Sequence, residues 1–304
     1  MMLSTLHVHA RSMVAAAALL LTCGHAIAQP VVVHDDQGTR IELPHEAKRI
    51  IALAPHVVEL IFAAGGGDRI VGTVAHADFP PAARDIAQIG DNRALDIERI
   101  IALRPDVMIA WRHGNAESHL EPLRKLGIPL FYSEPHTLED VAVSIEKVGS
   151  MMGTASVAKP AAQAFRARIA ELSAKYRNRP PVRLFYQVWD QPLYTLNRTH
   201  ILNDALGVCG GVNIFAALPA TAPTVSVEAV LAEDPEAVIA GAREGRSGTG
   251  PLVWKQYPTL LATKRDNLFD IVPDLILRAG PRIVEGTAQL CEKLETARAR
   301  RPAQ

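Results

Sequence analysis

The hydrophobic residues of the chain are concentrated in short apolar runs that are separated by longer amphipathic stretches. Short runs rich in valine, isoleucine and leucine predict buried β-strands. They lie at residues 49–53, 70–73, 107–110, 130–132, 182–188 and 237–240. Between the first two runs, residues 57–64 have apolar side chains at helical spacing and end at three consecutive glycines, residues 65–67. This alternation of strand and helix predicts α/β structure with parallel sheets.

One helix-strand unit occurs twice in the chain. LDIERIIALRPDVMIA at residues 95–110 aligns without a gap with VSVEAVLAEDPEAVIA at residues 225–240, so that Glu98 matches Glu228. Each copy is a short amphipathic helix, a turn that contains proline, and a strand. A unit that recurs in the second half of the chain predicts two similar lobes with a cleft between them.

The stretch between the two repeats contains few residues that break helices. Residues 161–176 are good helix formers with apolar side chains at helical spacing, which predicts one long helix that joins the lobes and resists large hinge motion. The alternative is a broken pair of shorter helices, which Gly149, Gly153 and Pro160 support. The predicted division is a first lobe at 29–150, a bridging helix at 151–180 and a second lobe at 181–304.

Residues 1–28 have the pattern of a secretory signal peptide. A weakly basic start is followed by the apolar run MVAAAALLL at residues 13–21 and by AIA at residues 26–28, which is a small-x-small cleavage site. The apolar run is shorter than the roughly 20 residues that span a bilayer. We therefore expect export to the periplasm and removal of the signal. Lipid attachment through Cys23 is the alternative, and Thr22 in front of it disfavours that route.

The composition narrows the possible functions. Lysine plus arginine and aspartate plus glutamate number 32 each, so the net charge does not favour nucleic-acid binding. Export leaves two cysteines, Cys209 and Cys291, and an even count in an oxidising compartment favours a disulfide over two buried thiols. The sequence has no G-x-S-x-G or H-E-x-x-H motif.

Motifs in both halves of the chain resemble one family. They are RIIALAP at 49–55, EL at 59–60, DFPP at 78–81, IERI at 97–100, PD at 105–106, IAWR at 109–112, GNAE at 114–117, VCGG at 208–211, NIF at 213–215, VS at 225–226 with Glu228, RA at 278–279 and PRI at 281–283. In these motifs the chain resembles the helical-backbone solute-binding proteins of ABC importers, which carry cobalamin, haem, siderophores or metals. Within that group it is most similar to the cobalamin carriers. The resemblance implies a class III periplasmic binding protein that is a monomer, has no enzymatic activity and no resident cofactor, and delivers its ligand to the transmembrane subunits of an importer.

The resemblance also implies a role for the two repeated glutamates. In this family the corresponding glutamates dock onto arginines of the two transmembrane subunits, so Glu98 and Glu228 are the predicted docking residues. Two similar lobes that meet a two-fold importer explain the duplication physically. The alternative is a pair of solvated glutamates in the first turn of a helix, where the helix dipole favours a negative charge.

The resemblance implies that Trp111, Asp274 and Arg278 bind the ligand, because they match family residues, and the position and chemistry of other side chains add to this set. The predicted ligand-binding residues are Pro55, His76, Trp111, Trp189, Tyr194, Asp274 and Arg278. Trp111 directly follows a strand, at the edge where open α/β sheets bind ligands. Its ring and those of Trp189 and Tyr194 supply flat apolar area with a polar edge, which suits a macrocycle. The alternatives are a core indole for Trp111 and a helix-end ion pair for Asp274 and Arg278.

His76 departs from the family pattern, which has a tyrosine at this position. The pattern also has tryptophans where this chain has Asn92 and Ala222. A histidine that faces a cleft can ligate cobalt or haem iron through its neutral imidazole, contact the ligand without ligating it, or be an ordinary surface residue. The expected ligand is cobalamin or a related corrinoid, without a dedicated metal site in the protein. The alternatives are haem or a siderophore and, outside binding proteins, a periplasmic hydrolase.

Overall fold

The short apolar runs form the central strands of two parallel sheets. The computed structural model describes residues 30–91, 94–241 and 250–302, so the predicted signal peptide at 1–28 and Asn92 lie outside the described residues. The two sheets with their helices are two α/β lobes joined by a long helix, which confirms the predicted fold class.

The strands of the first lobe are mostly buried. They are Val31–His34 (β1), Arg40–Leu43 (β2), Ile50–Ala52 (β3), Ile70–Thr73 (β4), Val107–Trp111 (β5) and Leu130–Ser133 (β6). β1 and β2 form an antiparallel hairpin, and the other four form a parallel sheet in the order β4-β3-β5-β6. All of β3, and all of β5 except Trp111, is buried because helices and loops cover both faces of the sheet.

The second lobe repeats this arrangement. Its strands are Val182–Gln187 (β7), Trp189–Asp190 (β8), Leu193–Tyr194 (β9), Gly211–Asn213 (β10), Ala237–Gly241 (β11) and Leu268–Ile271 (β12). Its parallel sheet has the order β10-β7-β11-β12. When only the four strands of each parallel sheet are counted along the chain, both sheets have the order 2-1-3-4. The repeated sequence unit therefore supplies an equivalent inner strand to each sheet, β5 to the first and β11 to the second.

The helices surround the two sheets. They are Pro55–Ala63 (α1), Ile97–Ala102 (α2), Glu117–Lys125 (α3), Leu138–Met152 (α4), Ala155–Tyr176 (α5), Ile201–Val208 (α6), Val227–Glu233 (α7), Leu261–Lys264 (α8), Pro273–Ile276 (α9) and Ile283–Ala299 (α10), with 3-10 turns at Gly67–Arg69, Pro81–Asp85 and Gly250–Gln256. Within the described parts of the chain, none of them is long and apolar enough to cross a membrane.

The segment between the lobes consists of two helices. α4 is capped by Gly153, whose φ of 69° lies in the left-handed region that favours glycine. α5 then runs for 22 residues and contains Pro160. The long helix is thus confirmed and starts earlier than residue 161, while the break at Gly153 agrees with the alternative of two helices. The two helices approach closely at Gly149, where an added Cβ would lie 2.2 Å from the Cβ of Ala158.

The two lobes share one apolar core. A single buried cluster runs from Ile50 in β3 through Met151 in α4 and Phe165 in α5 to Val182 in β7. In the second lobe a disulfide joins Cys209, at the end of α6, to Cys291 in α10, which confirms the predicted pairing. The bridging helix is therefore packed into the fold and is not an exposed linker.

Candidate ligand-binding cleft

The carboxyl ends of the two parallel sheets face each other, and we call the region between them the cleft. Residues that follow β4 in the first lobe contact residues that follow β12 in the second, as in the 3.3 Å ion pair between Arg278 Nη1 and Asp78 Oδ1. The carboxyl edge is where open α/β sheets bind ligands. Trp111 at the end of β5 and Trp189 just past β7 lie at the same edges.

Five charged side chains from both lobes meet here, and we call them the cleft cluster. They are Glu59, Asp78, Asp274, Arg278 and Arg282. Arg278 donates to Asp274 on its own lobe at 2.8 Å and to Asp78 on the other lobe at 3.3 Å. The Arg278 side chain is only 14% exposed and is therefore largely desolvated, whereas the side chains of Asp274 and Asp78 are 32% and 54% exposed. The predicted helix-end pair of Asp274 and Arg278 is therefore present, and it also joins the lobes.

Glu59 and Arg282 form the most buried hydrogen-bonded pair of the cleft cluster. The guanidinium of Arg282 donates to both carboxylate oxygens, at 2.6 and 3.1 Å, and Arg278 Nη1 lies 3.6 Å from the same carboxylate. The Glu59 side chain is 2% exposed and that of Arg282 16%. Burial alone lowers the pKa of Arg282, but the hydrogen bond and the charge of Glu59 outweigh it and raise that pKa. Neither residue was predicted to belong to the site, although both lie in motifs that resemble the family.

Three aromatic side chains around the cleft are unusually exposed for large apolar groups: Phe79 (38%), Trp111 (37%) and Trp189 (45%). Trp189 and Tyr194 are direct cross-strand partners in the short hairpin of β8 and β9. Phe79 was not predicted, and the guanidinium of Arg282 stacks over its ring at 4.1 Å. Exposed flat rings near the carboxyl edges of the sheets suit contact with a planar ligand.

Contacts on several sides hold Trp111. Its backbone N–H donates to Asn115 Oδ1 at 2.7 Å, and its indole Nε1 donates to Glu134 Oε1 at 3.2 Å. The ring of His56 meets the indole edge-on, with 5.7 Å between the ring centroids. Trp111 is therefore a supported, partly exposed ring and not a core residue.

His56 lies in the first turn of α1 and is buried. Burial lowers its pKa to about 4, the charge of Arg278 adds to this, and a hydrogen bond with the backbone of Ser133 partly opposes it. Its Nε2 has no hydrogen-bond partner among the described residues. His56 is thus held neutral beneath Trp111.

His76 and Pro55 lie at the same edge of the first lobe. His76 is exposed and has a φ of 67°, which is uncommon for any residue other than glycine, and its carbonyl accepts a hydrogen bond from Arg278 at 3.2 Å. The cleft cluster therefore fixes the backbone from which the imidazole projects. Pro55 is the first residue of α1 and is half-buried.

Glu98 and Glu228 have equivalent positions in the two lobes. Each is exposed and is the second residue of its helix, α2 or α7. The N-caps are Asp96 and Ser226, and each accepts a hydrogen bond from the third helical residue. The backbone N–H of Glu228 and the hydroxyl of Ser226 both lower the pKa of the Glu228 carboxyl, so this glutamate is ionised at neutral pH.

A separate groove of about 320 Å³ lies between α4, α5 and α6. Its lining residues are Leu138, Glu139, Phe165, Arg166, Ile169, Ala170, Ser173, Asp204 and Val208, none of which was predicted to bind ligand. In the described ranges, three or more histidine, cysteine, aspartate or glutamate side chains nowhere come together as a metal site.

A model of the periplasmic binding protein family matches residues 50–275, which include most of both lobes. The chain belongs to the periplasmic binding protein family. This family consists of binding proteins and not enzymes, so the hydrolase alternative is not supported.

Individual family members are similar over nearly the whole fold. A vitamin B12-binding protein of Vibrio cholerae is 34% identical over 255 residues, which are 84% of this chain and 91% of that protein. The crystal structure of the periplasmic vitamin B12 binding protein BtuF of Vibrio cholerae matches with a TM-score of 0.76 at 34% identity, covering 83% of this chain and 98% of that one. The periplasmic heme-binding protein RhuT from Roseiflexus has a TM-score of 0.72 at 22% identity, covering 83% and 99%, and shares the fold alone.

Proposed function

We propose that this periplasmic binding protein captures cobalamin or a related corrinoid in its cleft and delivers it to an ABC importer. The observation that carries the proposal is the 34% identity to the Vibrio cholerae vitamin B12-binding protein over 84% of the chain. The structural similarity to BtuF, with a TM-score of 0.76, agrees with it.

The chemistry of the cleft supports a large, flat ligand with a polar rim. The exposed faces of Phe79, Trp111 and Trp189 offer apolar area for a macrocycle, and the half-buried Tyr194 pairs with Trp189. Asp274 and Arg278 offer hydrogen-bonding partners for amide groups at the ligand's edge. Pro55 and His76 complete the proposed ligand-binding set on the first lobe.

Haem is the second candidate, and His76 is the observation that favours it. An exposed imidazole at the cleft edge can serve as an axial ligand to haem iron. With cobalamin, whose cobalt already has a nitrogen on one face, the same imidazole would displace the upper ligand or pack against the corrin.

Absorbance spectra of the purified protein with cyanocobalamin and with haemin test the proposal. We expect saturable one-to-one binding of cyanocobalamin, measured by calorimetry, and no histidine-coordinated haem spectrum. If the protein binds haemin with such a spectrum and does not bind cyanocobalamin, haem becomes the proposed ligand in place of cobalamin. Failure to bind either ligand would refute both candidates.

Glu98 and Glu228 are the proposed contacts to the importer. Two exposed carboxylates at equivalent positions of two similar lobes suit cationic side chains on two related transmembrane subunits. The double variant Glu98→Arg/Glu228→Arg should abolish uptake in cells and leave ligand affinity within about twofold, because both charges lie outside the proposed ligand contacts. A large loss of affinity would contradict this assignment.

Export completes the proposal. Cleavage of a signal peptide at residues 26–28 would release the protein to the periplasm as a monomer. The N-terminal sequence of periplasmic material and its mass in solution test both points. A retained N-terminus or a dimer would contradict them.

A further inference from the structure

Glu134 contacts Trp111 more directly than any other charged side chain among the described residues. It is the first residue after β6, next to Ser133, which is the register partner of Trp111 in the sheet. One carboxylate oxygen accepts the indole N–H of Trp111 at 3.2 Å, and the other accepts the backbone N–H of His113 at 3.1 Å. The Nδ1 of His113 also lies 3.1 Å from the first oxygen.

Glu134 is itself held in place by Asp36 and, through it, by Lys147. Its side chain is 14% exposed, and its backbone N–H donates to the carboxylate of Asp36 at 2.7 Å. Asp36 forms a 2.7 Å ion pair with Lys147 of helix α4, and their side chains are 12% and 27% exposed. The carboxylate that orients the indole is thus connected to the rigid helix pair that joins the lobes.

Other neighbours limit the remaining freedom of the indole. His56 contacts the ring edge-on, and Asn115 fixes the backbone N–H of Trp111 and is itself anchored to the carbonyl of Leu53 at 3.0 Å. Gly114 approaches the ring so closely that an added Cβ would lie 1.8 Å from Trp111 Cε3. These contacts leave rotation about the side-chain torsions as the main freedom, and the bond to Glu134 opposes that rotation.

We propose that Glu134 is a positioning residue of the cleft, which holds the indole of Trp111 in one orientation before the ligand arrives. This inference rests on the proposed capture of a corrinoid against Trp111. A ring that is already oriented does not have to be ordered on binding, so affinity increases without any new contact to the ligand. Glu134 thereby acts through Trp111 and does not need to touch the ligand.

The first test needs no ligand, and therefore separates this inference from the proposed function. The protein is labelled with 5-fluorotryptophan, and the fluorine signals of Trp111, Trp189 and Trp254 are assigned by single tryptophan-to-phenylalanine substitutions. Glu134→Ala should shift and broaden the Trp111 signal, because the indole then exchanges between orientations. The Trp254 signal should stay unchanged, since that indole is buried and bonded to Gln187 at 2.7 Å.

The second test is a double-mutant cycle on cyanocobalamin affinity. Glu134→Ala should weaken binding about tenfold, the usual size of one lost hydrogen bond. It should have almost no further effect when Trp111 is already phenylalanine, which has no N–H to donate. Glu134→Gln keeps an acceptor for the indole and should restore affinity to within about threefold of wild type.

Glu121→Ala is the matched control. It removes the same charge from the same lobe, and Glu121 pairs only with Arg124 and Lys125 of its own helix among the described residues. It should change neither the Trp111 signal nor the affinity. An unchanged Trp111 signal in Glu134→Ala, or equal losses of affinity with and without Trp111, would overturn the inference. If wild type fails to bind cyanocobalamin but the Trp111 signal still responds to Glu134→Ala, the proposed ligand is wrong and the positioning role stands.

Discussion

The buried pair of Glu59 and Arg282 offers the sharpest test of how the two lobes are held together. The substitution Glu59→Gln keeps the size and shape of the side chain but removes its charge. Arg282 then loses the carboxylate that accepts its hydrogen bonds at 2.6 and 3.1 Å, and Arg278 loses the same charge at 3.6 Å. Two largely buried cations would remain close together with less negative charge between them.

The expected loss in the free energy of unfolding follows from the burial of the pair. Breaking a buried ion pair by removing one partner destabilises a protein by about 3–5 kcal/mol, because the other charge stays buried without compensation. The side chains of Arg278 and Arg282 are 14% and 16% exposed, so some water reaches them, and glutamine still accepts one hydrogen bond. We therefore expect a loss near the lower end, about 3 kcal/mol.

Urea unfolding followed by circular dichroism measures this loss. The common apolar core predicts one transition for both lobes, and an unchanged slope between wild type and variant would show that the same surface is exposed. Glu171→Gln is the matched control, since its pair with Arg168 is 63% and 57% exposed and should be worth less than about 0.5 kcal/mol. A loss in Glu59→Gln that is no larger than in Glu171→Gln would refute the reasoning.

Four further predictions concern the disulfide, His56 and His76. Replacing Cys209 and Cys291 by alanine should cost roughly 4–5 kcal/mol in urea unfolding, because the disulfide closes a loop of 82 residues, and mass spectrometry should find no free thiol in periplasmic wild type. The pKa of His56 is about 4 in the folded protein and about 6.5 in the unfolded chain, so the unfolded state binds a proton that the folded state does not. The neutral state of His56 therefore contributes about 3 kcal/mol to the free energy of unfolding above pH 6.5, and this contribution is lost as the pH falls towards 4. His56→Phe should flatten this decline of the free energy of unfolding with falling pH. His76→Ala should lower cyanocobalamin affinity by only about 1–2 kcal/mol in calorimetry, whereas a total loss would indicate metal ligation. His76→Gly should be more stable than His76→Ala by roughly 1 kcal/mol, because the φ of 67° suits glycine.

The gapless repeat determined the architecture. The helix-strand unit around Glu98 recurs around Glu228, and each copy supplies the equivalent inner strand to one of two sheets with the same strand order. The strand endings also determined the position of the cleft, since side chains such as Trp111 that follow parallel strands must meet at one edge. These features follow from local periodicity, which the sequence contains directly.

The sequence alone does not locate the break between the two helices. Gly149, Gly153 and Pro160 all weaken a helix, but only Gly153 ends one. Pro160 lies within the first turns of α5 and Gly149 packs against Ala158, where a larger side chain would collide. Propensity alone cannot distinguish these cases because neighbouring helices decide which glycine is tolerated.

Contacts between distant segments were decided only by the tertiary structure. Glu59 and Arg282 are 223 residues apart, and neither a spacing nor a pattern connects them until the two lobes face each other. Glu134 could have been suspected as the first residue past a strand, but its bond to the Trp111 indole depends on the register of β5 against β6. Local sequence fixes which residues reach the carboxyl edges of the sheets. Which of them pair there depends on the orientation of two lobes whose common core is formed by residues from the whole chain, and that orientation exists only in the folded molecule.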